Sequence, residues 1–110
     1  MPNVCYNDLT ITSRSENDII DILQALHQEI PNLDVKLNRK FGIKVNFITA
    51  WKPLFQFTET LINKYPSIWI KNEWIVEDGA SGVFVGKKNN IKYMDWDDLS
   101  NEDANFFFAA

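Results

Sequence analysis

The chain has 110 residues, enough for one domain whose core needs neither a disulfide nor a metal. Hydrophobic residues make up 45% and aromatics 14%, which argues against disorder, and a net charge of -4 argues against general attraction to nucleic acid or to an anionic membrane. A single cysteine, Cys5, allows no intrachain disulfide, and no apolar run approaches the ~20 residues of a membrane span. A cytoplasmic protein without a signal peptide is the expectation.

Residues 4 to 12 alternate, Leu9 and Ile11 on one face and Thr10 and Thr12 on the other, which predicts a first strand. Ser13 stands three residues before Glu16 and Ser15 three before Asp18, so either serine can cap a helix while the acid reaches back. Ile19, Ile22, Leu23, Leu26 and Ile30 recur at helical spacing until Pro31 stops the helix. Leu33, Val35 and Leu37 alternate with Asp34, Lys36 and Asn38. Beyond Arg39-Lys40, Ile43, Val45 and Phe47 alternate with Lys44, Asn46 and Ile48, giving a hairpin.

Pro53 suits a first helical position, and Leu54, Phe57, Leu61 and Tyr65, backed by Phe55 and Ile62, form a second helical stripe that Pro66 ends. Ile68-Trp69-Ile70 and Trp74-Ile75-Val76 are β-branched and aromatic, as strands are. Asp78-Gly79-Ala80-Ser81-Gly82 reads as a turn, Val83-Phe84-Val85 as a short strand, Asn89-Asn90 as a turn and Ile91 to Met94 as a last strand. The first six elements spell βαββαβ, the split-βαβ order, an α+β class with an antiparallel sheet and both helices on one face. A hairpin and an acidic tail over residues 94 to 110 are added to it.

Two short segments carry a resemblance. Pro2, Asn3, Cys5, Asn7 and Leu9 match an opening of the form M-P-N-W-C-x-N-x-L, with Val4 at the tryptophan position. Phe47, Thr49, Trp51 and Pro53 match F-x-T-x-W-x-P, and Glu77-Asp78-Gly79 with Phe84-Val85-Gly86 look like an E-x-G…F-x-G hairpin. These resemble the YubB-like, ferredoxin-fold domain family of phage and plasmid proteins. The resemblance implies one ferredoxin-like domain over residues 1–110 and a mobile-element setting. It carries over no catalytic residue, because the matched positions look structural: Asn7 and Thr49 to bond strand ends, Trp51 to close the core.

Reactive residue types are sparse. His27 sits one step beyond the apolar helix face with no ligand set around it, so it reads as a solvent-edge histidine and no metal or other cofactor is expected. Cys5, between Val4 and Tyr6, reads as a strand cysteine packed as a small apolar group rather than a nucleophile. Glu73, Glu77 and Asp78 cluster near one hairpin and Asp95, Asp97, Asp98, Glu102 and Asp103 crowd the tail, but acid–base work by a pair of them needs a cleft that shifts their pKa values apart, and nothing in the sequence implies one. There is no phosphate loop, nucleophile elbow or dinucleotide fingerprint.

Charge is more informative. Residues 36 to 52 hold Lys36, Arg39, Lys40, Lys44 and Lys52 and no acid; residues 94 to 110 hold five acids and no base. The acidic array suits capture of a basic partner that normally receives phosphates. The expectation is a non-enzymatic, anti-CRISPR-like module that binds a host protein or protein–nucleic acid complex through Asp95, Asp97, Asp98, Glu102 and Asp103, with Trp96 as aromatic anchor. The alternative is single-stranded nucleic-acid binding by Lys36, Arg39, Lys40, Lys44 and Trp51. An exposed apolar sheet face would also suit a homodimer.

Overall fold

The computed structural model describes residues 4–50, 55–77 and 79–96. The elements run β1 (Val4–Thr12), α1 (Glu16–Glu29), β2 (Asp34–Arg39), β3 (Gly42–Ala50), α2 (Phe55–Lys64), β4 (Trp69–Val76), β5 (Ser81–Lys87) and β6 (Asn90–Asp95). This is an α+β chain. Its six strands form one sheet in the order β2-β3-β1-β4-β5-β6, with every neighbouring pair antiparallel.

Local chemistry accounts for most element boundaries. Of the two serines before α1, Ser15 is the cap: its hydroxyl accepts from the Asp18 N–H at 3.2 Å, satisfying a donor that the first helical turn leaves orphaned. Ser13 instead accepts from the Ser15 N–H at 3.0 Å, and its own N–H donates to the Phe41 carbonyl, fixing the end of β1 to the β2–β3 turn. Ile30 closes α1 by donating to the Leu26 carbonyl just before Pro31. The β5–β6 turn runs through Lys88 and Asn89, and Asn89 takes φ 68°, a left-handed conformation that asparagine tolerates. Pro53, Leu54 and Trp51 lie outside the described residues.

Alternation along the strands sorts side chains to two faces. Leu9 and Ile11 of β1, Ile43, Val45 and Phe47 of β3, Ile70 of β4 and Phe84 of β5 form a core with Ile19, Ile22 and Leu26 of α1 and Leu61 and Ile62 of α2. Both helices therefore cover the same face. Tyr93 of β6 joins that side, donating its hydroxyl to Glu59 of α2 at 3.1 Å. On the opposite face Val83, Val85 and Met94 form a smaller buried cluster with Trp96 packed against it.

Two expectations are corrected. The strand alternation of residues 33 to 38 breaks at a bulge: Val35 pairs with Val45, but Leu37 pairs with Lys44. The extra residue, Lys36, moves Leu37 to the other face, where it is exposed, because a one-residue slip reverses every later side chain. As the expected element order requires, the two apolar runs around residues 68–76 belong to one strand, β4, which pairs continuously with β1 from Trp69 to Val76. Ser81 and Gly82 belong to β5 rather than to the turn before it.

Candidate interaction surface

The face without helices is organised in rows that cross the strands. Cross-strand partners lie on the same face, so the strand register fixes each row. Ile48, Tyr6 and Ile75 make one row across β3, β1 and β4. All three are open to solvent: Tyr6 is 47% exposed, Ile48 58% and Ile75 51%. Tyr6 and Ile75 sit where the backbone is paired on both sides, whereas Ile48 lies beyond the last β2–β3 pair, Asp34 with Asn46.

The next row is acidic. Asp34 pairs with Asn46, Asn46 with Asp8, and Asp8 with Glu73. With its amide turned to donate, Asn46 reaches Asp8 Oδ1 at 3.2 Å. Asp8 and Glu73 are directly opposite, a like-charge pairing that costs stability in a sheet. Lys71 answers it by pairing with Glu73 at 2.9 Å, and Lys36 pairs with Asp34 at 2.8 Å. A shallow groove of about 610 Å³ runs over these rows, lined by Tyr6, Asp8, Ile48, Glu73, Ile75 and Trp96 among others.

The third row is basic: Lys44 faces Thr10, Thr10 faces Lys71, Lys71 faces Val85 and Val85 faces Lys92. Beyond it lie Arg39 opposite Gly42, and Trp69 opposite Thr12. The face is thus polarised along the strands, apolar and acidic at one end, basic at the other.

Beneath the helices, the opening motif and the middle motif meet. Cys5 pairs with Thr49 and Asn7 with Phe47. The Asn7 amide donates to Thr49 Oγ1 at 3.1 Å and to the Cys5 carbonyl at 3.1 Å, and Asn7 Oδ1 accepts from the Asn72 amide at 3.0 Å. Three strands are tied by one buried side chain. Cys5 is fully buried and burial pushes its thiol up from the ordinary value, although hydrogen bonds to Thr49 and Ile75 pull the other way. A protonated, sealed thiol is a packing group rather than a nucleophile.

The residues singled out from sequence fall in different places. Asp95 is exposed at the end of β6 opposite Gly82, whereas Trp96 is half-buried against Val83, Val85 and Met94. Asp97, Asp98, Glu102 and Asp103 lie outside the described residues, as does Asp78. Lys36 is ion-paired to its own strand. Arg39, Lys40 and Lys44 gather at one end of the sheet, where tertiary pairing adds Lys71, Lys87, Lys88 and Lys92. Glu73 and Glu77 are exposed, and among the described residues no three metal-ligating side chains come together. His27 is exposed in the last turn of α1.

Sequence reasoning missed Tyr6, Asp8, Ile48 and Ile75. Their signal was present as the outward positions of β1, β3 and β4, but their adjacency depends on the register. Comparison of the chain with protein-family models, with curated proteins and with solved structures gives no match.

Proposed function

We propose that this protein is a protein-binding module on a ferredoxin-like βαββαβ scaffold, and that it captures its partner with the helix-free face of the sheet. The observation that carries the reading is the exposed Ile48–Tyr6–Ile75 row beside the Asp34–Asp8–Glu73 row. Three large apolar side chains contiguous on a central part of a sheet are costly in water and gain when covered. Carboxylates alongside them select a partner surface that is basic as well as apolar, and they repel phosphates. Basic, apolar-bearing surfaces are what nucleic-acid machines present. The motif resemblance to YubB-like phage and plasmid proteins supports the same direction, a mobile-element protein that interferes with a host nucleic-acid or defence complex. The reactive side chains support binding over catalysis, since Cys5 is sealed in the sheet and the Ser13 and Ser15 hydroxyls accept backbone N–H bonds ahead of and within the first turn of α1.

The test is capture from a bacterial host lysate with immobilised wild-type protein, Tyr6→Ala and Asp8→Lys. The expected result is a specific band, identified by mass spectrometry, that both variants lose while their melting temperatures stay close to wild type. A parallel variant reversing Asp95, Asp97, Asp98, Glu102 and Asp103 separates the groove from the tail. Retention of the band by Tyr6→Ala and Asp8→Lys together refutes the groove, and its loss in the tail variant then assigns capture to the tail.

A further inference from the structure

The opposite end of the same face carries a different chemistry. Lys44, Lys71 and Lys92 share one row, each two strands from the next, so the row spans about 19 Å at the usual strand spacing. Arg39 and Lys40 stand at the β2–β3 turn and Lys87 and Lys88 at the β5–β6 turn, and antiparallel pairing brings both turns to this end of the sheet. Trp69, 37% exposed, lies opposite Thr12 on the same face, and Phe41, 53% exposed, is at the β2–β3 turn. Sequence alone assigns the basic character to residues 36 to 52; four of these lysines come from β4, β5 and β6 and the turn between the last two.

From this juxtaposition we infer that the basic end of the open face binds a single-stranded nucleic acid, with the lysine row along the phosphates and Trp69 stacking a base. The combination decides the ligand class. Lysines alone would serve any polyanion, but an exposed tryptophan beside them offers a stacking surface that an acidic peptide does not need. A flat sheet face has no helix or ribbon to enter a duplex groove, whereas splayed bases lie readily on it. The Lys71–Glu73 pair is exposed, and such pairs are weak enough to exchange for a phosphate. The overall charge of -4 makes the attraction local and short-ranged, so binding belongs to low and moderate salt. This site is separate from the capture surface around Tyr6 and Asp8, and the two stand or fall independently.

The experiment is a fluorescence-anisotropy titration of the full chain against labelled dT12 and rU12 at low salt, with unlabelled poly-glutamate as competitor. Saturable binding is expected. In Lys44→Gln/Lys71→Gln/Lys92→Gln the affinity should fall by about tenfold or more and the salt slope flatten by roughly 2, from ~0.7 per phosphate contact. Trp69→Ala should cost roughly fivefold or more with the salt slope unchanged, the mark of lost stacking rather than lost charge. Lys64→Gln on α2, off this face, should leave binding as it is. Should the triple variant fail its thermal melt, Lys87→Gln/Lys88→Gln carries the same comparison. A flat titration at low salt, equal competition by poly-glutamate, or unaltered affinity in Trp69→Ala overturns the inference.

Discussion

Replacing Asn7 by alanine should be among the most damaging single changes in this chain. Asn7 is 3% exposed and joins β1 to β3 through Thr49 and to β4 through Asn72. Two cross-strand bonds at 3.1 and 3.0 Å are worth about 1 kcal/mol each. The larger effect is what remains. Asn72 is 1% exposed, and its Oδ1 has no partner among the described residues. Without Asn7 its amide loses its partner too, and an orphaned buried polar group costs about 1–3 kcal/mol. The total is about 3–5 kcal/mol. At about 2.1 cal/mol/K per residue, each kcal/mol shifts the melting temperature of such a chain by about 4 °C, so Asn7→Ala should lower it by roughly 13–22 °C. Asn72→Ala removes one bond and the orphaned oxygen, and Asn7 Oδ1 keeps the Cys5 thiol as a donor at 3.9 Å, so it should cost less, about 1–2 kcal/mol. The double variant should be more stable than Asn7→Ala, because it deletes the stranded amide. Urea and thermal unfolding of the four proteins measure this cycle. A cost for Asn7→Ala under ~1 kcal/mol, or strict additivity in the cycle, would refute the account of Asn7 as the tie between the three strands.

Gly82→Ala should destabilise on the order of 2 kcal/mol, read by the same melts, because a Cβ there meets the Met94 carbonyl and comes within 2.6 Å of the Trp74 ring, and neither β6 nor the packed indole can move freely. A neutral Gly82→Ala would mean that β5 and β6 are looser than described. Cys5 should resist thiol reagents in the folded protein and react only on unfolding. Because its folded-state pKa is raised, the folded chain holds this proton longer than the unfolded one. Its contribution is therefore complete below the ordinary thiol value of 9.0 and declines as pH rises through the higher folded-state value. Cys5→Ala should shed this part of the alkaline dependence, and an unchanged profile would contradict the assignment.

The helices were readable because their signals are local: the Ile19–Ile22–Leu26 stripe, Pro31 and Pro66 act within a turn or two of chain. The buried sides of β1 and β3 followed equally from alternation. The bulge at Lys36 was not readable, since residues 33 to 38 alternate well enough on their own and only pairing with β3 shows where one residue is left over. The carboxylate row was hidden for the same reason, as Asp8, Asp34 and Glu73 are far apart in sequence and neutral in pattern.

The order of strands and helices, the inward and outward positions along most strands, and the poverty of reactive groups are properties of the sequence itself, because periodicity and composition act over neighbouring residues. The choice of Ser15 over Ser13 as cap, the exposure of Leu37, and the division of one face into apolar, acidic and basic rows were decided only by tertiary structure. Each depends on which strand lies beside which and in what register, a long-range outcome of burying the face shared with α1 and α2.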